Sequence, residues 1–345
     1  MTFTISVRDS DIAFGCEPGQ NVLDAAETAG WAIPYSCRKG VCDTCLGSVT
    51  AGPLDMPGSG SVCGPAEVRL CRARPTGDIE IAPRRIAART PPVRKRLTTT
   101  VYRRRQVAPG VTVLDLRYPI GRRTPFQAGQ FLNVILDDGD TRSYSLANAP
   151  QHNDLAQLHV RHEPNGVFSA RILQQLEFHD TVEIEAPFGE FFVEDGEGPL
   201  LLLATGTGFA PMRSIILDHI ARRLTRPVHL YWGARTLEDL YARTTLQAWT
   251  RRYPWFRFTP VLSRPHTGWE GAAGWVQAAA IASYPDLSSH HIYACGSEAM
   301  TRAAAEELAR ERDVAPDRFH SDAFVSAVGA PPASNNPSQR GAQYV

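Results

Sequence analysis

Cysteines are the residues of this 345-residue chain whose types and spacing most clearly indicate chemistry. Six of the seven lie within the first 71 residues, and Cys37, Cys42 and Cys45 follow the spacing C-x4-C-x2-C. This spacing is typical of a plant-type [2Fe–2S] site, which takes four soft thiolate ligands. A zinc site is the weaker interpretation, because zinc ligands usually come as paired C-x2-C elements. Cys63 and Cys71 both remain candidates for the fourth ligand.

A glycine turn further along the chain is a second candidate for chemistry. The sequence TGTGFAP of residues 205–211 follows an apolar stretch and opens a helical pattern. In this setting the backbone amides of a glycine turn bind the pyrophosphate of a dinucleotide. Pro211 stands where the pattern G-x-G-x-x-G has its third glycine, so the turn differs from the Rossmann fingerprint.

The elements that must position the cysteines indicate a small mixed domain. The apolar patterns at residues 3–7, 12–14 and 78–82 predict short strands. The stretch 21–30 has a helical period that ends at a glycine. We therefore predict an N-terminal α+β domain that closes near Pro83.

The elements around the glycine turn are of two kinds. Between Thr98 and about Glu194, short β-branched and aromatic runs alternate with turn residues, which predicts an antiparallel barrel. After Gly198, apolar strands alternate with helices, which predicts a parallel, doubly wound α/β sheet. We expect barrel strands at 111–117, 130–136, 158–161 and 180–185, and the first elements of the parallel sheet at 199–204, 210–223 and 228–232.

The overall composition excludes several classes of protein. The 36 basic residues balance 36 acidic ones, so no net charge favours nucleic acid or an acidic membrane surface as a partner. The longest aliphatic stretch, residues 200–204, is too short to span a bilayer, and the N-terminus lacks a signal-peptide pattern. We expect a monomeric cytoplasmic protein, in which cysteines hold a metal rather than disulfides.

The charge is distributed unevenly along the chain. Residues 1–83 hold six basic and ten acidic residues, a net charge of −4, whereas residues 84–105 hold nine basic residues and no acidic one. Two interpretations of the basic segment are open. A solvated linker is favoured because exposed ion pairs are weak. The alternative is a segment that docks the acidic domain, whose face around the cluster is where we expect a partner protein.

The cysteine segments resemble a known type of domain. The sequences YSCRKGVC (residues 35–42) and LCRARP (residues 70–75) resemble the cluster segments of ferredoxin domains fused to flavin reductases. In those domains the fourth ligand precedes a proline-ended turn, so the resemblance implies Cys71 rather than Cys63. The metal ligands implied are Cys37, Cys42, Cys45 and Cys71.

A short segment at 142–145 resembles the R-x-Y-S flavin motif of the ferredoxin–NADP reductase superfamily. An arginine fork suits the flavin pyrophosphate, a tyrosine ring can stack on isoalloxazine, and a serine hydroxyl can bind the ring nitrogen that accepts hydride. Residues 158–162 and 166–169 resemble the next two flavin segments, and the helix at 166 would cap a second phosphate, which implies FAD. The FAD-binding residues implied are Arg142, Tyr144, Ser145, His159, Val160, Gly166 and Ser169.

The glycine turn and two later segments resemble the nicotinamide side of the same superfamily. Cys295 and Gly296 match the Cys-Gly pair whose thiol faces the nicotinamide. Residues 319–324 resemble the C-terminal segment that places an aromatic ring over the flavin, but this chain continues, so Phe324 either stacks there or caps the core. The resemblance implies coenzyme contacts from Thr205, Gly206, Thr207, Gly208, Pro211, Arg235, Cys295, Gly296 and Phe324, and catalytic roles for Ser145, Cys295 and Asp322.

The preference between the two nicotinamide coenzymes depends on residues after the second strand of the parallel sheet. Glu238 and Asp239 could bind the ribose diol of NADH. Arg235 and the pair Ser263-Arg264 could instead meet the 2′-phosphate of NADPH. The acidic residues slightly favour NADH.

The order of the motifs resembles the reductase components of bacterial aromatic oxygenases, in particular those of terephthalate-type Rieske dioxygenases. This resemblance implies a β-grasp [2Fe–2S] ferredoxin domain, an FAD barrel and an NAD(P) domain, which pass electrons from NAD(P)H to a terminal oxygenase. Alternative acceptors are a diiron monooxygenase, a cytochrome P450 or a sugar-deoxygenating enzyme, and a non-enzymatic carrier or redox sensor is the rival class. The predicted boundaries are 1–88, a basic linker 89–97, 98–197, 198–325 and a disordered tail 326–345.

Overall fold

The first 90 residues form the predicted mixed domain, a β-grasp fold. The structure is a computed structural model that describes residues 2–36, 38, 40, 43–90 and 93–324. The elements of this domain are β1 (Phe3–Val7), β2 (Ala13–Cys16), α1 (Val22–Thr28), β3 (Trp31–Ala32), β4 (Leu46–Ala51), β5 (Pro53–Met56), β6 (Gly60–Cys63), β7 (Ala66–Arg69), β8 (Arg74–Pro75), β9 (Ile79–Pro83) and β10 (Ala87–Ala88). The main sheet has the order β2-β1-β9-β4-β7, in which β1 and β9 are parallel and the other neighbours antiparallel. Helix α1 begins after Asn21, whose side chain accepts a hydrogen bond from the Asp24 amide at 2.9 Å.

The second unit is the predicted antiparallel barrel. Its elements are β11 (Lys95–Ala108), β12 (Val111–Arg117), β13 (Phe131–Ile135), β14 (Thr141–Ser145), β15 (Leu155–Arg161), a π-helical turn (Val167–Ile172), α2 (Leu173–Gln175) and β16 (Thr181–Phe188). The strand order is β14-β13-β16-β11-β12-β15, with every neighbour antiparallel. A bridge between Leu146 and Leu158 connects the two edges of the sheet, so the sheet curls into a barrel around an apolar core.

The third unit is the predicted parallel sheet flanked by helices. Its elements are β17 (Leu200–Thr205), a 3-10 turn (Gly206–Gly208), α3 (Phe209–Ala221), β18 (Val228–Ala234), a 3-10 turn (Leu237–Asp239), α4 (Arg243–Arg252), β19 (Phe256–Leu262), β20 (Ala272–Ala273), α5 (Val276–Ser283), β21 (His291–Ser297), α6 (Glu298–Arg312), a 3-10 turn (Pro316–Arg318) and β22 (Phe319–Phe324). All neighbours in the order β20-β19-β18-β17-β21-β22 are parallel. Since β17 lies in the centre, the glycine turn that follows it is at the carboxyl edge of the sheet, where such folds bind ligands.

In the described part of the chain, no helix is long and apolar enough to cross a membrane. The predicted disordered tail, residues 326–345, lies outside the described residues.

The basic segment docks the N-terminal domain onto the barrel. Arg94 forms an ion pair with Glu27 of α1, and Arg89 binds Glu190, which follows β16, at 2.6 Å. The two arginine side chains are only 25% and 28% exposed. The favoured interpretation of this segment as a solvated linker is therefore wrong for these arginines, because burial between two domains strengthens ion pairs that would be weak in water.

Aromatic side chains complete the contact between these two domains. Phe131 and Phe188 of the barrel stack with ring centroids 5.6 Å apart and belong to the apolar core of the N-terminal domain. The Arg94 guanidinium lies 4.5 Å from the centroid of the Phe188 ring. Strand β11 already begins at Lys95, inside the predicted linker, so little chain separates the two domains.

Candidate active site

The glycine turn and the Cys-Gly pair pack against each other at the carboxyl edge of the parallel sheet. A Cβ atom on Gly208 would lie 2.1 Å from the Cys295 carbonyl oxygen. A Cβ atom on Gly296 would lie 2.1 Å from the Thr205 hydroxyl oxygen. Only glycine, which has no Cβ atom, permits such a close approach. The contact between the two motifs therefore explains why each of them contains a glycine.

The glycine turn is supported from behind and open in front. The Trp232 indole donates a hydrogen bond to the Gly206 carbonyl oxygen at 2.9 Å and stacks on Phe209 with ring centroids 4.2 Å apart. A Cβ atom on Gly206 would meet no atom within 4 Å. The turn also leads directly into α3, with Pro211 buried in its first turn. This open, amide-lined turn at a helix start fits the pyrophosphate of a dinucleotide.

Strand β14 carries the R-x-Y-S residues at the end of the barrel. Arg142 is about one-fifth exposed, and its guanidinium contacts the Asp140 carboxylate and the Thr141 carbonyl oxygen. Ser145 is buried, and the Tyr144 ring packs against Phe168 with centroids 5.4 Å apart. Burial raises the pKa of the Tyr144 phenol, which therefore stays protonated at neutral pH.

Helix α3 holds the chain that follows β14. The Arg213 guanidinium donates to the Ala147 carbonyl oxygen, and the Ser214 hydroxyl donates to the Asn148 carbonyl oxygen at 2.6 Å. The R-x-Y-S segment and the glycine turn are thereby attached to one helix, on either side of the boundary between two domains.

The helical turn after β15 has the form that the resemblance implied. It begins at Val167, directly after Gly166, and a Cβ atom on Gly166 would lie 2.3 Å from the Ser169 hydroxyl oxygen. That hydroxyl accepts a hydrogen bond from the Glu163 amide at 3.2 Å. Val160 lies in the barrel core. The side chains of Ser169 and Val160 thus stabilise the local fold, which leaves backbone groups as the means of contact with a phosphate or a flavin ring.

His159 faces the parallel-sheet domain. Its Nδ1 atom lies 2.9 Å from the Tyr241 hydroxyl, and its ring packs against Phe209 with centroids 6.0 Å apart. Burial lowers the pKa of His159 to about 3, with smaller effects of Arg213 and Arg105 in the same direction. The neutral imidazole therefore connects the two domains, although the sequence suggested it only as an FAD contact.

We expect His159 to make the stability of the protein depend on pH. Its folded pKa of about 3 lies below the ordinary value of 6.5, so the unfolded chain binds the proton first, and stability falls as the pH drops from about 6.5 towards 3. At about pH 5.5 this costs about 1 kcal/mol relative to neutral pH. Urea unfolding of the wild type and His159→Gln at both pH values tests this: the variant should lose less stability on acidification, and an equal loss would refute the assignment.

Cys295 and Asp322 lie side by side on neighbouring strands. They are paired in the register of β21 and β22, and both side chains are buried. Burial, and then the charge of Asp322, raise the pKa of the Cys295 thiol well above its ordinary value. The thiol is therefore a neutral, protonated group.

Phe324, at the end of β22, is 37% exposed, which suits a ring that stacks on a ligand better than one that caps the core.

Two of the four predicted cluster ligands lie within the described residues. Cys45 and Cys71 are 2% and 5% exposed, and the Leu70 amide donates to the Cys45 carbonyl oxygen at 3.1 Å. Cys63 is exposed on the separate β5-β6 hairpin. This placement favours Cys71 over Cys63 as a neighbour of Cys45. The other two predicted ligands, residues 37 and 42, lie outside the described residues.

Three family models match the three units in order. Residues 5–76 match a 2Fe-2S iron-sulfur cluster binding domain, residues 98–193 an oxidoreductase FAD-binding domain, and residues 202–306 an oxidoreductase NAD-binding domain.

Similar proteins match this chain over nearly its whole length. The terephthalate 1,2-dioxygenase reductase component 1 of Comamonas sp. is 39% identical over 95% of this chain and 98% of its own length. The CDP-6-deoxy-L-threo-D-glycero-4-hexulose-3-dehydrase reductase of Yersinia pseudotuberculosis is 33% identical over 94% and 99%. The crystal structure of the Amycolatopsis cytochrome P450 reductase GcoB is 31% identical, with a TM-score of 0.76 over 94% of this chain and all of that one.

The chain belongs to this family of modular ferredoxin–NAD(P)H reductases.

The predicted fold and cofactors of the reductase are therefore confirmed. It is an NAD(P)H-dependent flavin and iron–sulfur oxidoreductase with a [2Fe–2S] ferredoxin domain, an FAD barrel and an NAD-binding domain. The individual site residues and the domain boundaries stay predictions, which the geometry above supports by bringing the flavin, nicotinamide and C-terminal motifs to one domain boundary.

Several residues of the reductase's site carry no motif in the sequence. Trp232, Tyr241 and Arg213 act through contacts with residues of other segments, namely Gly206, His159 and Ala147. Trp232 is fully buried. Its position in the sequence could have indicated this role, because Trp232 stands directly before Gly233 at the end of β18, and this strand end meets the glycine turn.

Proposed function

We propose that this reductase supplies electrons to a Rieske-type aromatic ring-hydroxylating dioxygenase of the terephthalate type. It would oxidise NAD(P)H, transfer the hydride to FAD and pass single electrons through the [2Fe–2S] cluster to the oxygenase. The observation that carries the electron-transfer route is the hydrogen bond of Ser36, at the start of the cluster segment 35–42, to Asp322 beside the predicted nicotinamide thiol. The choice of partner is supported by the similarity over nearly the whole chain to the Comamonas reductase component.

The residues of the site fit the cofactors of the family. The chemistry supplied by these groups when bound is the conversion of a two-electron hydride donor into single-electron steps, with FAD as hydride acceptor and the cluster as one-electron carrier. The Gly206 turn and the start of α3 would bind coenzyme phosphate, and Arg142 the flavin pyrophosphate. Ser145 would donate a hydrogen bond at the flavin, while the protonated Cys295 thiol offers the nicotinamide a neutral surface from which water is excluded.

The partner can be tested with purified oxygenases. We expect NAD(P)H-dependent product formation with a terephthalate-type Rieske oxygenase, and little with a diiron monooxygenase, a cytochrome P450 or a sugar dehydrase. The P450 arm is a specific second candidate, because the similar GcoB structure is described as a cytochrome P450 reductase. Efficient turnover with one of these other acceptors, and not with the Rieske oxygenase, would contradict the proposed partner while leaving the reductase activity intact.

The coenzyme preference of the reductase can be argued from the loops after β18 and β19. The Asp239 carboxylate accepts hydrogen bonds from the Thr236 amide at 3.1 Å and the Thr236 hydroxyl at 3.0 Å, so it already caps a local turn. The Arg264 amide donates to the Arg235 carbonyl oxygen at 2.9 Å, which brings two arginines with exposed side chains together. Glu238 remains available for the ribose diol of NADH, but the two neighbouring arginines offer a 2′-phosphate two positive charges. We therefore infer a preference for NADPH over the NADH that the sequence slightly favoured.

We expect Arg264→Ala to lower kcat/KM for NADPH by about 10- to 100-fold, the effect of losing a hydrogen bond to a charged group. The value for NADH should change little, since NADH has no 2′-phosphate. Steady-state ferricyanide reduction with both coenzymes measures this, and Arg251→Ala on α4 is a suitable control. An equal loss with both coenzymes, or none, would refute the 2′-phosphate site.

A further inference from the structure

Ser36 links the cluster segment directly to the NAD-binding domain. It precedes Cys37, the first predicted cluster ligand, and its hydroxyl donates a hydrogen bond to the Asp322 carboxylate on β22. The Ala323 carbonyl oxygen lies 3.3 Å from the same hydroxyl. Ser36 and Asp322 are 286 residues apart in the chain, so this contact exists only when the ferredoxin domain is docked.

The residue before Ser36 contacts the other domain of the reductase. The Tyr35 hydroxyl accepts a hydrogen bond from the Gly189 amide at 3.0 Å, just after the last barrel strand. Two consecutive residues thus connect the start of the cluster segment to the FAD barrel and to the NAD domain. Arg85 contacts β22 as well, because its guanidinium lies 3.1 Å from Nδ1 of His320.

The acceptor of the Ser36 hydrogen bond also belongs to the predicted hydride-transfer site. Asp322 is paired in register with Cys295, so their side chains emerge on the same face of the sheet. We propose that Ser36 is a positioning residue, whose hydrogen bond to Asp322 holds the cluster segment against the edge of the site where the nicotinamide and the flavin meet. The proposal rests on the reductase activity and concerns how electrons leave that site.

Burial makes this hydrogen bond hard to replace. Ser36 and Asp322 are each 5% exposed, so water has little access to the carboxylate when the hydroxyl is removed. Hydrogen bonds to charged, buried groups are stronger than neutral ones, so the removal of this donor weakens the contact between the two domains. Loss of the hydroxyl is therefore expected to lower the docked population, and with it the rate of electron transfer to the cluster, by at least about tenfold.

The experiment compares Ser36→Ala with the wild-type holoenzyme, with Ser36→Thr as the conservative rescue and Ser10→Ala as control. Ser10 is an exposed serine of the same domain whose hydroxyl bonds only to neighbours in the chain, donating to the Val7 carbonyl oxygen and accepting from the Ile12 amide. Stopped-flow absorbance separates flavin reduction by NAD(P)H from cluster reduction. Ferricyanide turnover, iron content, the EPR line shape of the reduced cluster, and hydrogen exchange of residues 319–324 are measured on the same samples.

The positioning role predicts that Ser36→Ala slows cluster reduction at least about tenfold while flavin reduction and ferricyanide turnover stay unchanged. Exchange at 319–324 should rise, iron content and EPR line shape should match the wild type, and Ser36→Thr should restore the rate. Should the threonine variant fail to bind a cluster, the exchange comparison of Ser36→Ala decides instead.

Three results would overturn the proposal. They are unchanged cluster reduction in Ser36→Ala, unchanged exchange at 319–324, or a slowdown accompanied by iron loss or an altered EPR signal, which would mean that Ser36 acts on the cluster itself. Absence of any NAD(P)H-dependent cluster reduction in the wild type would overturn the reductase route, and is distinguishable because it does not involve the variant.

Discussion

Replacement of Cys71 by serine is expected to abolish NAD(P)H-dependent reduction of cytochrome c while leaving ferricyanide reduction largely intact. Cys71 is buried, the residue before it donates a backbone hydrogen bond to Cys45, and Cys71 is the predicted fourth cluster ligand. Ferricyanide can take electrons directly from the flavin, whereas cytochrome c and an oxygenase depend on the cluster. Since loss of even an outer partner of a metal ligand costs about 10- to 100-fold, loss of the ligand itself should lower cytochrome c reduction by at least about 100-fold.

Cys63→Ser is the matched control for this prediction. Cys63 is exposed on the β5-β6 hairpin, so its replacement should leave iron content and both activities at wild-type values. Iron and sulfide analysis of the two variants checks the assignment independently of activity. Loss of the cluster in Cys63→Ser with retention in Cys71→Ser would show that the fourth ligand was assigned to the wrong cysteine.

Gly208→Ala is expected to slow the reduction of the flavin by NAD(P)H strongly. Gly208 has φ −58°, which alanine adopts without strain, so the only obstacle is the new Cβ atom 2.1 Å from the Cys295 carbonyl oxygen. That contact forces the glycine turn away from the Cys-Gly pair. Because a displacement of about 1 Å in a positioned site costs about 100-fold, we expect kcat/KM for NAD(P)H to fall by about that factor.

Gly110→Ala separates this effect from a general cost of adding a methyl group. Gly110 lies between β11 and β12, and a Cβ atom there would meet nothing within 4 Å. Stopped-flow flavin reduction should be unchanged in this control and slow in Gly208→Ala, while chemical reduction by dithionite should proceed in both. Wild-type flavin reduction in Gly208→Ala would mean that the turn does not hold the coenzyme.

The fold was predictable because its signals are local. The barrel strand at 111–117 and the helix after the glycine turn follow from periodicity and turn residues, and the structure has them within one or two residues. Parallel pairing of β17 with its neighbours follows from the alternation of strands and helices, since crossover connections require it.

The site was predictable only where it carries short motifs. The turn at 205–211 and the pair Cys295-Gly296 were recognised, and their contact in the structure explains why both need glycine. The contacts of Trp232 and Ser36 with distant segments were not predictable. A hydrogen bond between residues far apart in the chain produces no periodic pattern or motif in either segment.

The basic segment shows a different limit. The positive charge of the segment was evident from the sequence. Whether its arginines are solvated or paired depends on how far the docked domains bury them, and this cannot be determined from a local sequence pattern. Arg89 and Arg94 bind Glu190 and Glu27 in an interface that excludes most water. An exposed pair of the same type would contribute little to stability, whereas these pairs are strengthened by the burial that docking of the two domains creates.

We expect electrons from NAD(P)H to reach the [2Fe–2S] cluster through the flavin of the same chain. An anaerobic titration of the purified holoprotein with NADPH, followed by absorbance and EPR, tests it most directly. The expected result is bleaching of the flavin absorbance followed by the EPR signal of a reduced plant-type [2Fe–2S] cluster. A flavin that bleaches fully while an intact, iron-loaded cluster stays EPR-silent would contradict it.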